Sequence, residues 1–266
     1  MASFTSDGLK IAFNAVGYGD PVLLLHGFAA NRGQAWRASG WFDLLDKAGV
    51  DYAAMDHRGH GESDKPHEVD AYAIDKMIAD IINFLDYLEA KRATIVAHSM
   101  GAMLSMRLLT EYPQRFKAAV LCGVGARMLE KRDDRKTMAE GLTSSDPKSV
   151  KDEHALSFRA FAESTNSDME ALAACIRARR EPIDEQALSK IAVPVMVITG
   201  SDDDLSGKPE PLAALIPGAK AVTIDGASHH TIMGDPDFKQ EVVRFLGLKV
   251  KPTAFEDDDE EDRWKR

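Results

Sequence analysis

Serine 99 lies in a sequence pattern that suits a catalytic nucleophile. It is the centre of AHSMG, with the small residues Ala97 and Gly101 two positions to either side. The β-branched run before it (residues 94–96) and the helically spaced apolar residues after it predict a strand that turns at once into a helix. A residue at so sharp a bend takes a strained backbone conformation and stands above the sheet. The alternative is a serine that caps an ordinary strand–helix junction.

Two later segments offer an acid and a base, which a serine needs because an unaided hydroxyl is a weak nucleophile. SDDDLSG holds three aspartates and ASHHTIMGDP holds two histidines, and each segment follows an apolar run with strand character. Active-site loops of a parallel sheet gather at the carboxyl ends of its strands. The candidates are Asp202, Asp203 and Asp204 for the acid, and His229 and His230 for the base.

A third polar segment, DHRGHGESD (residues 56–64), could be read as a metal site. Its candidate ligands are Asp56, His57, His60, Glu62 and Asp64. No helical spacing aligns these side chains, and the glycines among them are typical of turns, so we predict a loop and no metal. The remaining histidines have other predicted places: His26 fixes a loop, His98 packs beneath the serine, and His67 and His154 lie at the surface.

Strand and helix patterns alternate along the chain. The apolar run PVLLLHG is typical of a central strand buried on both faces. Apolar residues recur every three or four positions from Ile74 to Leu88, which predicts an amphipathic helix with Asp70 at its N-cap. Residues 36–49 predict another helix, which ends near Gly49. Strands that alternate with such helices need crossover connections, so we predict an α/β fold with a doubly wound, mostly parallel sheet.

These motifs together resemble the α/β-hydrolase fold family, in its serine-nucleophile branch of carboxylesterase and lipase-like enzymes. AHSMG is similar to the nucleophile elbow G-x-S-x-G, with Ala97 in place of the first glycine. LLLHGFAA resembles the His-Gly-x stretch that supplies one oxyanion-hole amide, and DHRGHGESD resembles the loop after the fourth strand. The resemblance covers about residues 1–249.

The resemblance implies a role for each candidate residue. The family order of serine, acid and histidine, with the family spacing after each strand, selects Ser99, Asp203 and His229 as the catalytic triad. The backbone N–H groups of Phe28 and Met100 would form the oxyanion hole. The implied reaction passes through an acyl-enzyme and requires no metal or organic cofactor.

The resemblance also implies a division of the chain. Residues 1–126 and 191–249 would form the hydrolase core, and residues 127–190 a small helical cap between the sixth and seventh core strands. Residues 250–266 form an acidic tail, which we expect to be disordered.

The composition of the cap bears on the substrate. It has no tyrosine and no tryptophan, whereas epoxide hydrolases of this fold use cap tyrosines and haloalkane dehalogenases a cap tryptophan with an aspartate nucleophile. A small carboxylic ester remains as the default substrate, while thioester, lactone, carbon–carbon bond hydrolysis and perhydrolysis stay open. Phe158 and Phe161, the cap's only aromatic residues, are the candidate pocket wall. A non-catalytic, ligand-binding member of the fold is the alternative of another class.

Composition limits the other partners. The net charge is −10, of which the last twelve residues contribute −4, so no basic face for nucleic acid is predicted. The N-terminus lacks the pattern of a secretory signal, and no apolar run is long enough to span a bilayer. The two cysteines, Cys122 and Cys175, fit reduced thiols. We therefore expect a cytoplasmic enzyme with a small-molecule acyl substrate; the sequence leaves the oligomeric state open.

Overall fold

An eight-stranded sheet forms the centre of the computed structural model, which describes residues 2–130, 135–178 and 184–250. The strand order is β1-β2-β4-β3-β5-β6-β7-β8. The pairs β1–β2 and β2–β4 are antiparallel, and all other neighbouring strands are parallel. The strands are β1 (Ala2–Ser6), β2 (Leu9–Val16), β3 (Val22–Leu25), β4 (Tyr52–Met55), β5 (Ala93–His98), β6 (Phe116–Cys122), β7 (Val195–Gly200) and β8 (Lys220–Ile224). This sheet confirms the predicted fold class.

Helices cover both faces of the sheet, as crossover connections between parallel strands require. They are α1 (Trp41–Ala48), α2 (Ile74–Tyr87), α3 (Met100–Glu111), α4 (Arg135–Thr143), α5 (Glu153–Ser164), α6 (Met169–Arg177), α7 (Glu185–Leu188), α8 (Glu210–Ala213) and α9 (Pro236–Leu246). Every residue of β3 is buried, because apolar clusters pack on its two sides. The prediction of a doubly covered central strand is therefore confirmed.

Three local predictions were wrong. β1 was not predicted, although it pairs with β2 along its whole length. The helix predicted over residues 36–49 is divided, because Gly40 has a φ of 80° and separates the π-helical turn Gly33–Arg37 from α1. Asp70 does not cap α2, since it lies inside a 3₁₀ turn, Val69–Tyr72, that precedes the helix.

The chain between β6 and β7 is helical in its described parts. α4 packs on α5 and α6, while α6 also contacts the 3₁₀ turn at residues 69–72. α5 brings Phe158 to 5.9 Å from the ring of Phe28, between ring centroids, so this segment covers the loop that follows β3. The assignment of residues 127–190 as a cap domain stays a prediction. The predicted acidic tail lies, from residue 251 onward, outside the described residues.

Cys122 on β6 and Cys175 on α6 are buried.

Candidate active site

Ser99 lies in the sharp turn between β5 and α3. Its φ of 51° and ψ of −113° are strained for a residue other than glycine, as the sequence predicts. A Cβ at Gly101 would lie 2.3 Å from the carbonyl oxygen of Leu25, so only glycine fits where the elbow crosses the end of β3. The side chain of Ser99 makes no capping hydrogen bond to α3, which leaves its hydroxyl available for another partner.

That partner is His229, which follows β8. Ser99 Oγ lies 3.0 Å from His229 Nε2, and His229 Nδ1 lies 2.9 Å from Asp203 Oδ2. The imidazole that fits this arrangement donates its Nδ1–H to the carboxylate and accepts the Ser99 hydroxyl proton at Nε2. Asp203 and His229 are buried, whereas Asp202 and Asp204 are exposed. The structure thus brings together the three residues that the resemblance selected.

Asp203 is held by more than the histidine. The Ser206 hydroxyl donates to Oδ2 at 2.7 Å, and the backbone N–H groups of Leu205 and Ser206 donate to Oδ1 at 3.0 and 2.9 Å. Burial alone would raise the pKa of the Asp203 carboxyl, but the hydrogen bond and charge of His229, with the bonds from Ser206, outweigh burial and lower it. Sequence reasoning missed Ser206, although an aspartate followed by a serine three residues later is a common turn pattern.

The two predicted oxyanion donors lie beside the serine. Met100 is the first residue of α3, so its N–H has no acceptor within the helix. Phe28 lies in a tight turn closed by a hydrogen bond of 3.3 Å from the Ala30 N–H to the Gly27 carbonyl. A Cβ at Gly27 would come within 3.2 Å of the Ser99 Cβ, which shows how closely this turn approaches the elbow. Their role as donors stays a prediction.

A cavity of about 370 Å³ opens beside Ser99. Four aromatic side chains in contact with one another form one wall of it: Phe28, Phe158, Phe161 and His230. The lining also includes the apolar residues Ala30, Ala35, Ala38 and Met233 and the neutral polar groups Gln34, Ser39 and Thr231. Among the described residues that line the cavity, none is a lysine, arginine, aspartate or glutamate. Such a cavity suits an uncharged ligand.

His230, the alternative base, belongs to this wall. Its ring centroid lies 4.9 Å from that of Phe161 and 6.0 Å from that of Phe158. Partial burial and the neighbouring His229 lower the pKa of His230, so its ring is uncharged at neutral pH.

Comparisons with known proteins agree with this geometry. The alpha/beta hydrolase fold family model matches residues 20–142. A non-heme chloroperoxidase from Kitasatospora aureofaciens is 28% identical over 279 aligned residues, which cover 91% of this chain and 98% of that protein. The solved structure of Est816, an N-acyl homoserine lactone-degrading enzyme, is 26% identical and superposes with a TM-score of 0.72 over 91% of this chain and 99% of its own. The chain has the α/β-hydrolase fold.

Other relatives of this α/β-hydrolase match only in part. A bifunctional epoxide hydrolase from Sus scrofa is 32% identical over 111 residues, which cover 42% of this chain but only 20% of that protein. The chain therefore spans a small fraction of that relative's length. A match of this kind supports the shared fold and leaves the reaction to be argued from the site.

Two buried histidines, His26 and His98, form hydrogen bonds that fix the loops beside Ser99. His26 Nδ1–H donates to the Gly27 carbonyl at 2.8 Å, and its Nε2 accepts the His57 N–H at 3.0 Å. His98 Nε2–H donates to the carbonyl of His229 at 3.0 Å. Burial lowers the pKa of His26 to about 4 and that of His98 to about 3. The predicted loop-fixing role of His26 is confirmed, while His98 lines the cavity beside Ser99 and its position beneath the serine stays a prediction.

In the loop DHRGHGESD (residues 56–64), the carboxylates accept hydrogen bonds from backbone N–H groups and from a guanidinium. Asp56 accepts hydrogen bonds from the backbone N–H groups of Arg32 and Glu62 and from the Arg32 guanidinium. Glu62 pairs with the same guanidinium, and Asp64 accepts the Lys10 N–H at 2.7 Å. These contacts tie residues 56–64 to β2 and to the chain after β3.

In the described parts of the chain, no helix is both long and apolar enough to cross a bilayer.

Proposed function

We propose that this α/β-hydrolase is a serine enzyme that cleaves small, uncharged carboxylic esters through an acyl-enzyme. The observation that carries the proposal is the unbroken chain of hydrogen bonds from Ser99 through His229 to Asp203, with its serine end at an uncharged cavity. A nucleophile bonded to a base that is itself oriented by a carboxylate is the arrangement that nucleophilic catalysis requires.

Acylation begins when Ser99 Oγ attacks the ester carbonyl carbon while His229 Nε2 removes the hydroxyl proton. The carbonyl oxygen becomes an oxyanion, which the N–H groups of Phe28 and Met100 stabilise; one such donor is typically worth about 3–4 kcal/mol. Asp203 holds the imidazole in the correct tautomer and stabilises the imidazolium. The C–O bond to the alcohol then breaks, and His229 returns its proton to the leaving oxygen.

Deacylation repeats these steps with water. His229 takes a proton from the water as its oxygen attacks the acyl carbon, the oxyanion forms again at the same two amides, and Ser99 leaves with the proton from His229. The products are a carboxylic acid, the alcohol and the free enzyme. Each proton that is moved has a donor or acceptor among the residues already described.

The cavity supports the choice of substrate. A negatively charged acyl group has no lysine or arginine to meet among the described lining residues, so a neutral acyl chain is favoured. A volume of about 370 Å³ accommodates a short or medium chain, with the rings of Phe158 and Phe161 against it. Lactones are a second candidate, because they are cyclic esters and the similar enzyme Est816 degrades lactones.

A substrate panel tests the proposal. Purified protein is assayed with p-nitrophenyl esters, thioesters, lactones and a vinylogous diketone, and with hydrogen peroxide as an alternative acyl acceptor to water. We expect the highest kcat/KM with esters or lactones, and loss of that activity in Ser99→Ala. Preference for thioesters or diketones would contradict the ester assignment alone, and no turnover of any acyl substrate would favour a ligand-binding role.

A further inference from the structure

The turn that carries Phe28 contains a strained residue. Ala29 has a φ of 60° and is fully buried, in the third position of the turn Gly27–Ala30. That position of such a turn is normally occupied by glycine, because a Cβ is strained at a positive φ. The conformation persists only where the surroundings hold it. The contacts that hold Ala29 therefore restrain the turn that carries the Phe28 N–H.

The groups that hold Ala29 come from the helical segment between β6 and β7, at the end of α5. The Thr165 hydroxyl lies 2.9 Å from the Ala29 carbonyl oxygen, and Ser167 Oγ lies 3.4 Å from the same oxygen. Thr165 Oγ1 is also 3.1 Å from the Ala162 carbonyl and 3.3 Å from that of Phe161, but it has one proton to donate and, of the three carbonyls, that of Ala29 is nearest.

These two hydroxyls are themselves firmly placed. Thr165 Oγ1 and Ser167 Oγ lie 2.8 Å apart, and the Ser167 N–H donates to the Ala162 carbonyl at 2.9 Å. The next residue, Asp168, accepts the Ala171 N–H at 3.0 Å as the N-cap of α6 and pairs with His67 at 3.0 Å. The turn between α5 and α6 is thus fixed to both the helical segment and the core.

α5 also contacts the oxyanion turn through a side chain. The ring of Phe158 meets that of Phe28 edge to face, with centroids 5.9 Å apart. The same helix therefore contacts the Phe28 side chain directly and, through Thr165 just after its end, the Ala29 carbonyl. The oxyanion turn is held on its cavity side by these two contacts.

We propose that Thr165, supported by Ser167, is a positioning residue that sets the direction of the oxyanion-forming N–H of Phe28. The inference rests on the proposed function, because it concerns the alignment of a donor that acts only on a developing oxyanion. Loss of a whole oxyanion donor typically costs about 10²–10³ in kcat, and a misaligned donor retains part of its effect. Ground-state binding in the cavity does not depend on this alignment.

The test compares Thr165→Val with Thr143→Val. Thr143 is a matched control, since it too is half-buried on the helical segment and its hydroxyl donates to a carbonyl, but to that of Ala139 within its own helix, at 3.0 Å. We expect Thr165→Val to lower kcat on a p-nitrophenyl ester by about 10- to 100-fold with KM changed less than about twofold. Thr165→Ser, which restores the hydroxyl, should recover most of kcat, and Thr143→Val should keep both constants.

Three outcomes overturn the inference. The first is a Thr165→Val enzyme with the kcat of Thr143→Val, and the second is a Thr165→Ser enzyme as slow as Thr165→Val. If Thr165→Val does not fold, Ser167→Ala replaces it and should lower kcat about two- to fivefold at constant KM; an unchanged kcat is the third. A wild-type protein that hydrolyses no ester would contradict the proposed function itself, and this inference with it.

Discussion

Ser206 and His229 donate to the same carboxylate oxygen of Asp203. Ser206 Oγ lies 2.7 Å from Oδ2 and His229 Nδ1 lies 2.9 Å from it, with 3.2 Å between Ser206 Oγ and His229 Nδ1. Two backbone N–H groups hold the other oxygen, so the carboxylate cannot rotate without losing several bonds at once. Ser206 therefore fixes the orientation of the Asp203 carboxylate and takes no part in the proton transfer from Ser99.

Replacing Ser206 by alanine should lower kcat by about tenfold with little change in KM, because the carboxylate loses one of its restraints and keeps its charge. Asp203→Asn should be far worse, up to about 10⁴-fold, since the amide favours the wrong imidazole tautomer. Steady-state kinetics on one soluble ester measure both changes.

Ser201→Ala is the matched control for Ser206→Ala. Ser201 also donates to an aspartate, Asp202, at 3.0 Å, but that pair is exposed, whereas Asp203 and Ser206 are buried. We expect Ser201→Ala to retain wild-type kcat. Equal kinetics for the two serine variants would contradict the positioning role of Ser206, and a more harmful Asp202→Asn than Asp203→Asn would contradict the acid assignment.

At the scale of elements, the sequence predicted what depends on local pattern. The apolar run of β3 and the small residues around Ser99 each follow from rules that act over a few positions, and both were predicted. β1 was missed because a short edge strand has little apolar pattern of its own and is defined by its pairing with β2. The division of the first helix depends on the positive φ of Gly40, which the periodicity of the apolar residues conceals.

Local sequence pattern also limits how much of the candidate active site could be predicted. Asp203 and His229 could be predicted because each follows a strand end in a known order. The hydroxyl of Thr165 could not, since its importance lies in a contact made across the fold, with Ala29, 136 positions earlier in the chain. Ser206 is close in sequence to Asp203, but only the fold shows that it and His229 meet the same carboxylate oxygen. Local sequence identifies reactive groups more readily than the groups that hold them in place.

Helix α5 should set the length of acyl chain that the enzyme accepts. Phe158 and Phe161 line the cavity from this helix, and each buried methylene of a chain gains roughly 0.8 kcal/mol until the wall is reached. We predict that wild-type kcat/KM in a p-nitrophenyl ester series peaks at short-to-medium chains, and that Phe161→Ala moves the peak to longer ones. A variant that loses thermal stability but keeps the wild-type profile would show that the ring only seats the helix.

At the scale of the whole molecule, the buried histidines make stability depend on pH. The folded-state pKa values of His26 and His98, about 4 and about 3, lie below the ordinary value of 6.5. Both rings therefore stay neutral in the folded protein while the unfolded chain takes up protons below about pH 6.5. Stability contributed by the neutral rings is complete above that pH and is lost as pH falls toward the folded pKa values.

Urea denaturation at pH 7.5 and pH 5.0 should reveal this loss. We expect the free energy of unfolding to fall by roughly 2 kcal/mol for each of the two histidines. His26→Asn, whose amide does not titrate, should be less stable at pH 7.5 but should lose less on acidification, whereas His154→Asn, a change at the exposed surface, should keep the wild-type dependence. Equal stability of the wild type at the two pH values would contradict the burial of neutral imidazoles.

The most direct test of the proposed serine mechanism is covalent labelling with a fluorophosphonate probe. We expect one phosphonyl group per chain, mapped by mass spectrometry to Ser99, because His229 Nε2 accepts the proton of this hydroxyl. Labelling should be absent in Ser99→Ala, strongly slowed in His229→Ala and absent in heat-denatured protein. A folded wild-type protein that remains unlabelled, or that is labelled at another residue, would contradict the assignment of Ser99 as the nucleophile.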